Sequence, residues 1–290
     1  MTVLSLYWAG AGARGVALNL AAAASISLSA YGLYLLLGDP NQWIALGIGI
    51  YAFVSWVQSL ALRDHPTFKM IFTSKALVCS IIAFSTIGFA GYAYGFWMAP
   101  FLLRVHGVTT AEAGTILGLS GAIGGWMGIT AGGVFSDYLK KRTPRARIWI
   151  GVISIFIDLP FAIGVVLVDN LTLAYVFNFG HAVAAAFWIG TVVAIANELV
   201  MPRMRATSSA FYILTVTFIG LALGPYTVGK ISDAFIASGT SDGNALKYAM
   251  LISLVTYLIS LFFFFIASRH IEEDENTRIE RARAAGEPNV

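Results

Sequence analysis

The sequence predicts an all-α polytopic membrane protein with about eight transmembrane helices. Three observations carry this expectation. Of its 290 residues, 58% are hydrophobic and only 11% are charged, whereas a soluble domain carries roughly 25% charged residues. Eight stretches are apolar over about the 20 residues a helix needs to cross a bilayer, near 15–37, 42–62, 76–103, 113–136, 148–168, 171–197, 206–229 and 248–268. Within them Asp158 is the single Asp, Glu, Lys or Arg. Finally, positive charge alternates with the spans. With the N-terminus inside, the outer segments hold only Arg104, Lys230 and Lys247, and the other fifteen of the 18 lysines and arginines fall on the cytoplasmic side. That bias places both termini in the cytoplasm and favours an even number of spans. Helices are expected because lipid offers exposed backbone groups no partner.

Two N-terminal spans occupy residues 1–63. The first is long and follows a single basic residue, so it reads as a true span rather than a cleaved leader. A cytoplasmic linker, 64–75, leads to a six-span bundle over 76–268. The tail, 269–290, mixes both charge signs and is expected as a short cytoplasmic helix that frays. The single cysteine, Cys79, excludes an intrachain disulfide. A pI near 9.0 reflects cytoplasmic lysine and arginine rather than nucleic-acid binding.

In the third span Gly88, Gly91 and Gly95 lie along one stripe, a pattern that lets helix backbones approach in lipid. Tyr94 and Trp97, three apart, share a face. Tyr92 lies about 200° away from Tyr94, so the three rings are not expected in one site. The fourth span repeats Gly114 and Gly118, then Gly124, Gly128 and Gly132, which predicts a tight helix crossing. In the fifth, Asp158 is either a candidate for ion coupling or a neutral carboxyl satisfying a backbone group freed by Pro160. The sixth places Asn178, His181, Trp188 and Val192 on one face. A polar stripe at that depth faces a cavity or bonds to a neighbouring helix.

The run "GGVFSDYLKKRTPRAR", 132–147, sits between two spans. It resembles the acidic-then-basic loop motif of the major facilitator superfamily, in its copy between helices eight and nine. The stretch 197–233, with "PRMRATSSA" and "IGLALGP", looks like helices ten and eleven of spinster-like members. The third span and the loop after it look like helix seven. The resemblance covers about residues 64–270 and implies that the last six helices form the C-terminal bundle of such a transporter. The family holds its solute between two six-helix halves, and the first two spans here match the N-terminal half poorly. Gly133–Asp137 and Gly229–Asp233 both read G-x-x-S-D, at equivalent positions if spans three to five and six to eight are inverted repeats.

The resemblance implies a secondary active transporter moving a small organic or lipid-like solute by alternating access, as a partial chain lacking most of its N-terminal half. A coupling proton and a separate N-terminal half-transporter are its expected partners. The alternative is a non-transporting structural fragment or subunit that needs a partner half. Cavity residues by this resemblance are Tyr94, Trp97, Asn178, His181 and Trp188. Gly133, Asp137, Lys141, Arg142 and Arg205 form a cytoplasmic gating motif. Asp137 there caps a helix or pairs with an arginine such as Arg205. By the same resemblance Asp158 falls on a supporting outer helix. Neither enzyme nor cofactor is expected, because no cluster of His and acid residues is apparent. The expected location is the plasma (inner) membrane.

Overall fold

The computed structural model describes Tyr7 and residues 10–288. Among these, every regular element is helical, and seven helical runs are long and apolar enough to cross a membrane: Gly12–Leu37, Pro40–Arg63, Lys75–His106, Ala146–Leu167, Leu171–Glu198, Pro202–Ala237 and Asp242–Asn276. The expected fourth span is also continuously helical, from Thr110 to Lys140. Its many glycines lower its hydropathy, which leaves it outside those seven. The chain is an integral membrane protein that divides into two compact units, one within Met1–Ser74 and Thr277–Val290, the other Lys75–Asn276.

In the first unit, α1 (Gly12–Leu37) packs against α2 (Pro40–Arg63) as a hairpin. Gly38 and Asp39 both take positive φ to make the turn. Pro40 then starts α2 where its missing N–H is harmless. Sequence reading missed the polar clasp that joins the pair. Asn19 is fully buried and donates to Ser55 Oγ (3.0 Å) and Gln58 Oε1 (2.9 Å). Tyr51 donates back to Asn19 Oδ1 at 2.8 Å. Elsewhere Leu18, Leu28, Leu36 and Ile48 are exposed, as side chains facing lipid should be. The stretch read as a linker contains α3 (His65–Phe72), which Asp64 caps through the Thr67 N–H. The short helix expected in the tail is α14 (Arg278–Ala284). Arg281 ties it to α3, donating to the Met70 carbonyl at 3.0 Å.

The second unit is built around α4 (Lys75–Phe101), which continues as a π-helical turn, Leu102–His106. Tyr94, Phe84 and Phe101 on α4 are fully buried. α4 packs most extensively on α13 (Thr256–Asn276). Two polar contacts join them: Thr86 Oγ1 to Ser260 Oγ at 2.7 Å, and the Ala76 N–H to the Asp274 carboxylate at 2.9 Å. The latter puts an anion at the start of α4, where the helix dipole favours one.

Between them run α5 (Thr110–Leu119), a π turn (Ser120–Gly124), α6 (Gly125–Lys140), α7 (Ala146–Leu167), α8 (Leu171–Ala186) and α9 (Ile189–Glu198). Next come α10 (Arg205–Val216), a π stretch (Thr217–Ala222), α11 (Gly224–Ala237) and α12 (Asp242–Ser253). The crossing predicted for the fourth span is real at three of five glycines. A Cβ on Gly128 would lie 2.1 Å from the Val183 carbonyl oxygen, and one on Gly132 1.8 Å from that of Phe187. A Cβ on Gly124 would lie 3.0 Å from that of Ala182, a looser contact. Gly114 and Gly118 meet nothing within 4 Å, so they take no part. Gly88 approaches Val216, but Gly91 and Gly95 are likewise open.

Candidate functional site

Inside the second unit, α4, the α5–α6 run, α8, α9, α10 and α13 line an open-sided cavity of about 420 Å³. Tyr92, Tyr94, Asn178, His181, Trp188 and Tyr212 are among its lining residues. Gly88, Gly91 and Gly95 form a side-chain-free shelf along α4, and Gly121 and Gly125 do the same opposite. Small residues thus serve two purposes here, helix contact at Gly128 and Gly132 and open volume at Gly91 and Gly95.

Trp188 stands at the break between α8 and α9 and stacks on Phe84, ring centroids 5.4 Å apart. The break follows Phe187, the residue whose carbonyl Gly132 approaches. Asn178 and His181 sit one turn apart on α8, both buried. Asn178 Nδ2 has no hydrogen-bond partner among the described residues.

Behind His181 lies Asp158, 2% exposed. Its Oδ1 is 2.7 Å from His181 Nδ1, and its Oδ2 accepts from the Tyr257 hydroxyl on α13. The carboxylate therefore serves two side chains rather than the backbone near Pro160. α7, expected as an outer helix, turns this acid inward. Reciprocal contacts set the register. Phe177 lies against Gly164, and Phe161 against Gly180, which locks α7 onto α8 with Asp158 facing His181. The Tyr94 ring is 5.0 Å from the imidazole, and its hydroxyl donates to the Ala162 carbonyl at 3.2 Å.

Four of the five expected cavity residues are thus brought together. Trp97 is not. Its Nε1 donates to the Pro225 carbonyl at 2.8 Å, and its ring covers Gly229, so it cements α4 to α11. The three rings therefore do not share one site, as expected, but the ring left out is Trp97 and not Tyr92. Tyr92 lines the cavity together with Tyr94, because the cavity curves around the open glycine face of α4. Tyr212 and Tyr257 carried no sequence signal, being aromatic residues in aromatic-rich helices.

No family model matches the chain. It is 30% identical over 226 residues to an MFS-type efflux pump of Mycolicibacterium smegmatis, covering 77% of this chain and 48% of that protein. It is 27% identical over 241 residues to a sphingosine-1-phosphate transporter of Danio rerio, 76% of this chain and 47% of that one. Protein spinster homolog 1 of Xenopus laevis is 26% identical over 224 residues, 71% and 42% respectively. A solved structure of a bacterial homologue of the human lysosomal transporter spinster, inward-facing and unoccupied, matches with a TM-score of 0.64 at 23% identity. That match covers 86% of this chain and 64% of that one. The homologues of this chain are thus an MFS-type efflux pump, spinster proteins and sphingosine-1-phosphate transporters. The chain spans about half the length of the curated relatives it matches.

In this chain the acidic-then-basic loop is tied down by Arg147. Its guanidinium is 2.6 Å from Glu198 Oε1 at the end of α9, 2.9 Å from Asp137 Oδ1 and 2.9 Å from Ser136 Oγ. The partner of Asp137 is therefore Arg147 and not Arg205, which is exposed at the start of α10. Lys140 reaches Glu275 at 2.8 Å, and Arg145 reaches Glu272 at 3.3 Å, both on α13. Lys141 and Arg142 are exposed, the latter donating to the Tyr138 hydroxyl. Gly133 has open space around it. The second G-x-x-S-D copy lacks the arrangement: Ser232 Oγ is buried without a partner and Asp233 is exposed.

Proposed function

We propose that the chain forms one bundle of a secondary transporter that moves a small organic or lipid-like solute by alternating access. The observation that carries this reading is the aromatic cavity within the second unit of a chain whose homologues are spinster-type proteins. Its walls suit an amphiphile. Tyr92, Tyr94, Trp188 and Tyr212 and the glycine shelves accept an apolar body, while Asn178 and His181 orient a polar end. Two relatives are named for sphingosine-1-phosphate, which supports a lipid-like solute. In this family the solute lies between two halves, so a second, N-terminal-type half completes the route.

The loop from Gly133 to Arg147 lies on the cytoplasmic side in this reading, with both termini, at the plasma (inner) membrane. Asp137 and Glu198, held by Arg147, form a latch between the α6–α7 loop and α9. Lys141, Arg142 and Arg205 remain exposed to engage the facing half. Trp97 acts in this scheme by fixing α11 to α4 rather than by touching solute.

Uptake of radiolabelled long-chain amphiphiles into liposomes tests the proposal, with the chain alone and paired with an N-terminal half. Trp188→Ala and Asn178→Ala should lower uptake roughly tenfold, the effect of about 1.4 kcal/mol of binding. Leu173→Ala, exposed on α8, should leave the rate unchanged. Equal losses in all three variants sink the cavity assignment.

A further inference from the structure

Leu258, Phe262, Phe265 and Arg269 are exposed on α13, and their spacing of four, three and four residues puts them on one helix face. Arg269 lies eleven residues beyond Leu258, about 16 Å along the helix axis. One leaflet supplies half of a hydrocarbon core about 30 Å thick, so the stripe matches a single leaflet in length.

Arg269 closes the stripe at the end nearer the α6–α7 loop. Its guanidinium carbon lies 4.2 Å from the centroid of the Phe265 ring. Stacking occupies the flat face of a guanidinium and leaves its N–H edge free to donate. No acid pairs with Arg269 among the described residues, and Glu273, four residues on, is engaged by another group. On the next turn Arg145, from the start of α7, reaches Glu272 at 3.3 Å. Both side chains of that pair are nearly half exposed, so the contact is weak and most Arg145 donors remain available. Two arginines thus attend one acid, while Lys140 takes up Glu275. The bias of positive charge toward one side of the membrane accounts for a base at this end. It does not account for an arginine held flat on an exposed ring without a counter-ion.

We propose that this stripe seats one anionic phospholipid of the cytoplasmic leaflet. An acyl chain lies along Leu258, Phe262 and Phe265, and the phosphodiester oxygens accept from Arg269 and Arg145. A phosphodiester with a neutral head group, such as glycerol, supplies the one negative charge that the two arginines and Glu272 leave unbalanced. A choline head group brings its own cation and fits less well. Only the choice of leaflet rests on the orientation given above, and the solute cavity takes no part.

The test is native mass spectrometry of the full chain in a nonionic detergent, titrated with dioleoylphosphatidylglycerol or dioleoylphosphatidylcholine. One phosphatidylglycerol should bind roughly fivefold more tightly than phosphatidylcholine, the effect of one basic residue at an anionic lipid surface. Arg269→Gln should remove that preference. Glu272→Gln takes away the competing acid and should strengthen phosphatidylglycerol binding, which a purely structural ion pair would not do. Arg104→Gln, an exposed arginine far along the chain from the stripe, should change nothing.

Equal affinity for the two lipids in the wild-type chain overturns the proposal, and that comparison decides the matter even if a variant fails to fold. Equal losses in Arg269→Gln and Arg104→Gln also overturn it, because the lipid would then follow net charge and not a seat. Glycerophosphate separates a lipid from a free phosphate. If it displaces the phosphatidylglycerol, the acyl stripe contributes nothing and the lipid seat falls. Trp188→Ala leaves the stripe untouched, so lipid binding there should persist whether or not the cavity carries solute.

Discussion

Gly132 places its α-carbon against the Phe187 carbonyl, with no room for a methyl group. Gly132→Ala should therefore destabilise the second unit by about 1–3 kcal/mol, read as a lowered unfolding temperature in detergent. Gly118→Ala, in open space, should not shift it. Arg147 makes a similar contrast with Arg145. The Arg147 side chain is 11% exposed and joins two acids, whereas Arg145 and Glu272 are both nearly half exposed. Losing Arg145 should change stability by at most about 1 kcal/mol. Arg147→Ala should cost more, because Glu198 is left partly buried without its strongest partner. Composition alone made the basic loop legible. It could not say which base meets which acid, because Glu198 lies 51 residues from Arg147. Asp158 shows the same limit. Its depth in an apolar run marked it, but its partners lie 23 and 99 residues away on helices whose rotation the sequence does not fix.

Helix phase is where prediction by periodicity failed. A three-residue offset put Tyr94 and Trp97 on one face of α4, yet Tyr94 meets His181 on α8 and Trp97 meets Pro225 on α11. The π turn Ser120–Gly124 was also invisible, since nothing in "SGAIG" distinguishes it from ordinary helix. Such turns widen a helix locally and often adjoin functional surfaces, and Ser120 and Gly121 do line the cavity. The wide turn can absorb a deleted residue by reverting to α-helical spacing. Deleting Gly121 should thus leave Gly128 and Gly132 facing α8, and the variant should remain monodisperse in detergent. Deleting Trp126, within regular helix, rotates the remainder of α6 by about 100° and should abolish folding.

Across the whole molecule, eight apolar runs were legible because lipid imposes one simple rule on every span. Exposed Trp126, Phe156, Leu258, Phe262 and Phe265 are the surface that rule demands, and they need no partner in a bilayer. Orientation is a separate question, answered by charge. Starting from Cys79→Ser, a thiol introduced as Lys247→Cys should react with an impermeant maleimide from outside intact cells. One introduced as Lys141→Cys should react only after permeabilisation. The reverse pattern would invert the proposed topology and move the Arg147 latch to the other face.

The Asn19 clasp bears on how the chain enters the membrane in the first place. During synthesis α1 emerges while Ser55, Gln58 and Tyr51 are still unmade, so the Asn19 amide in its N-terminal third lacks those partners. Residence beside a wet insertion channel removes that difficulty until α2 arrives. The two helices then pass into lipid as a closed pair, with Asn19 already satisfied. Replacing Asn19 by leucine should let α1 partition without α2, read as membrane integration of α1 expressed by itself.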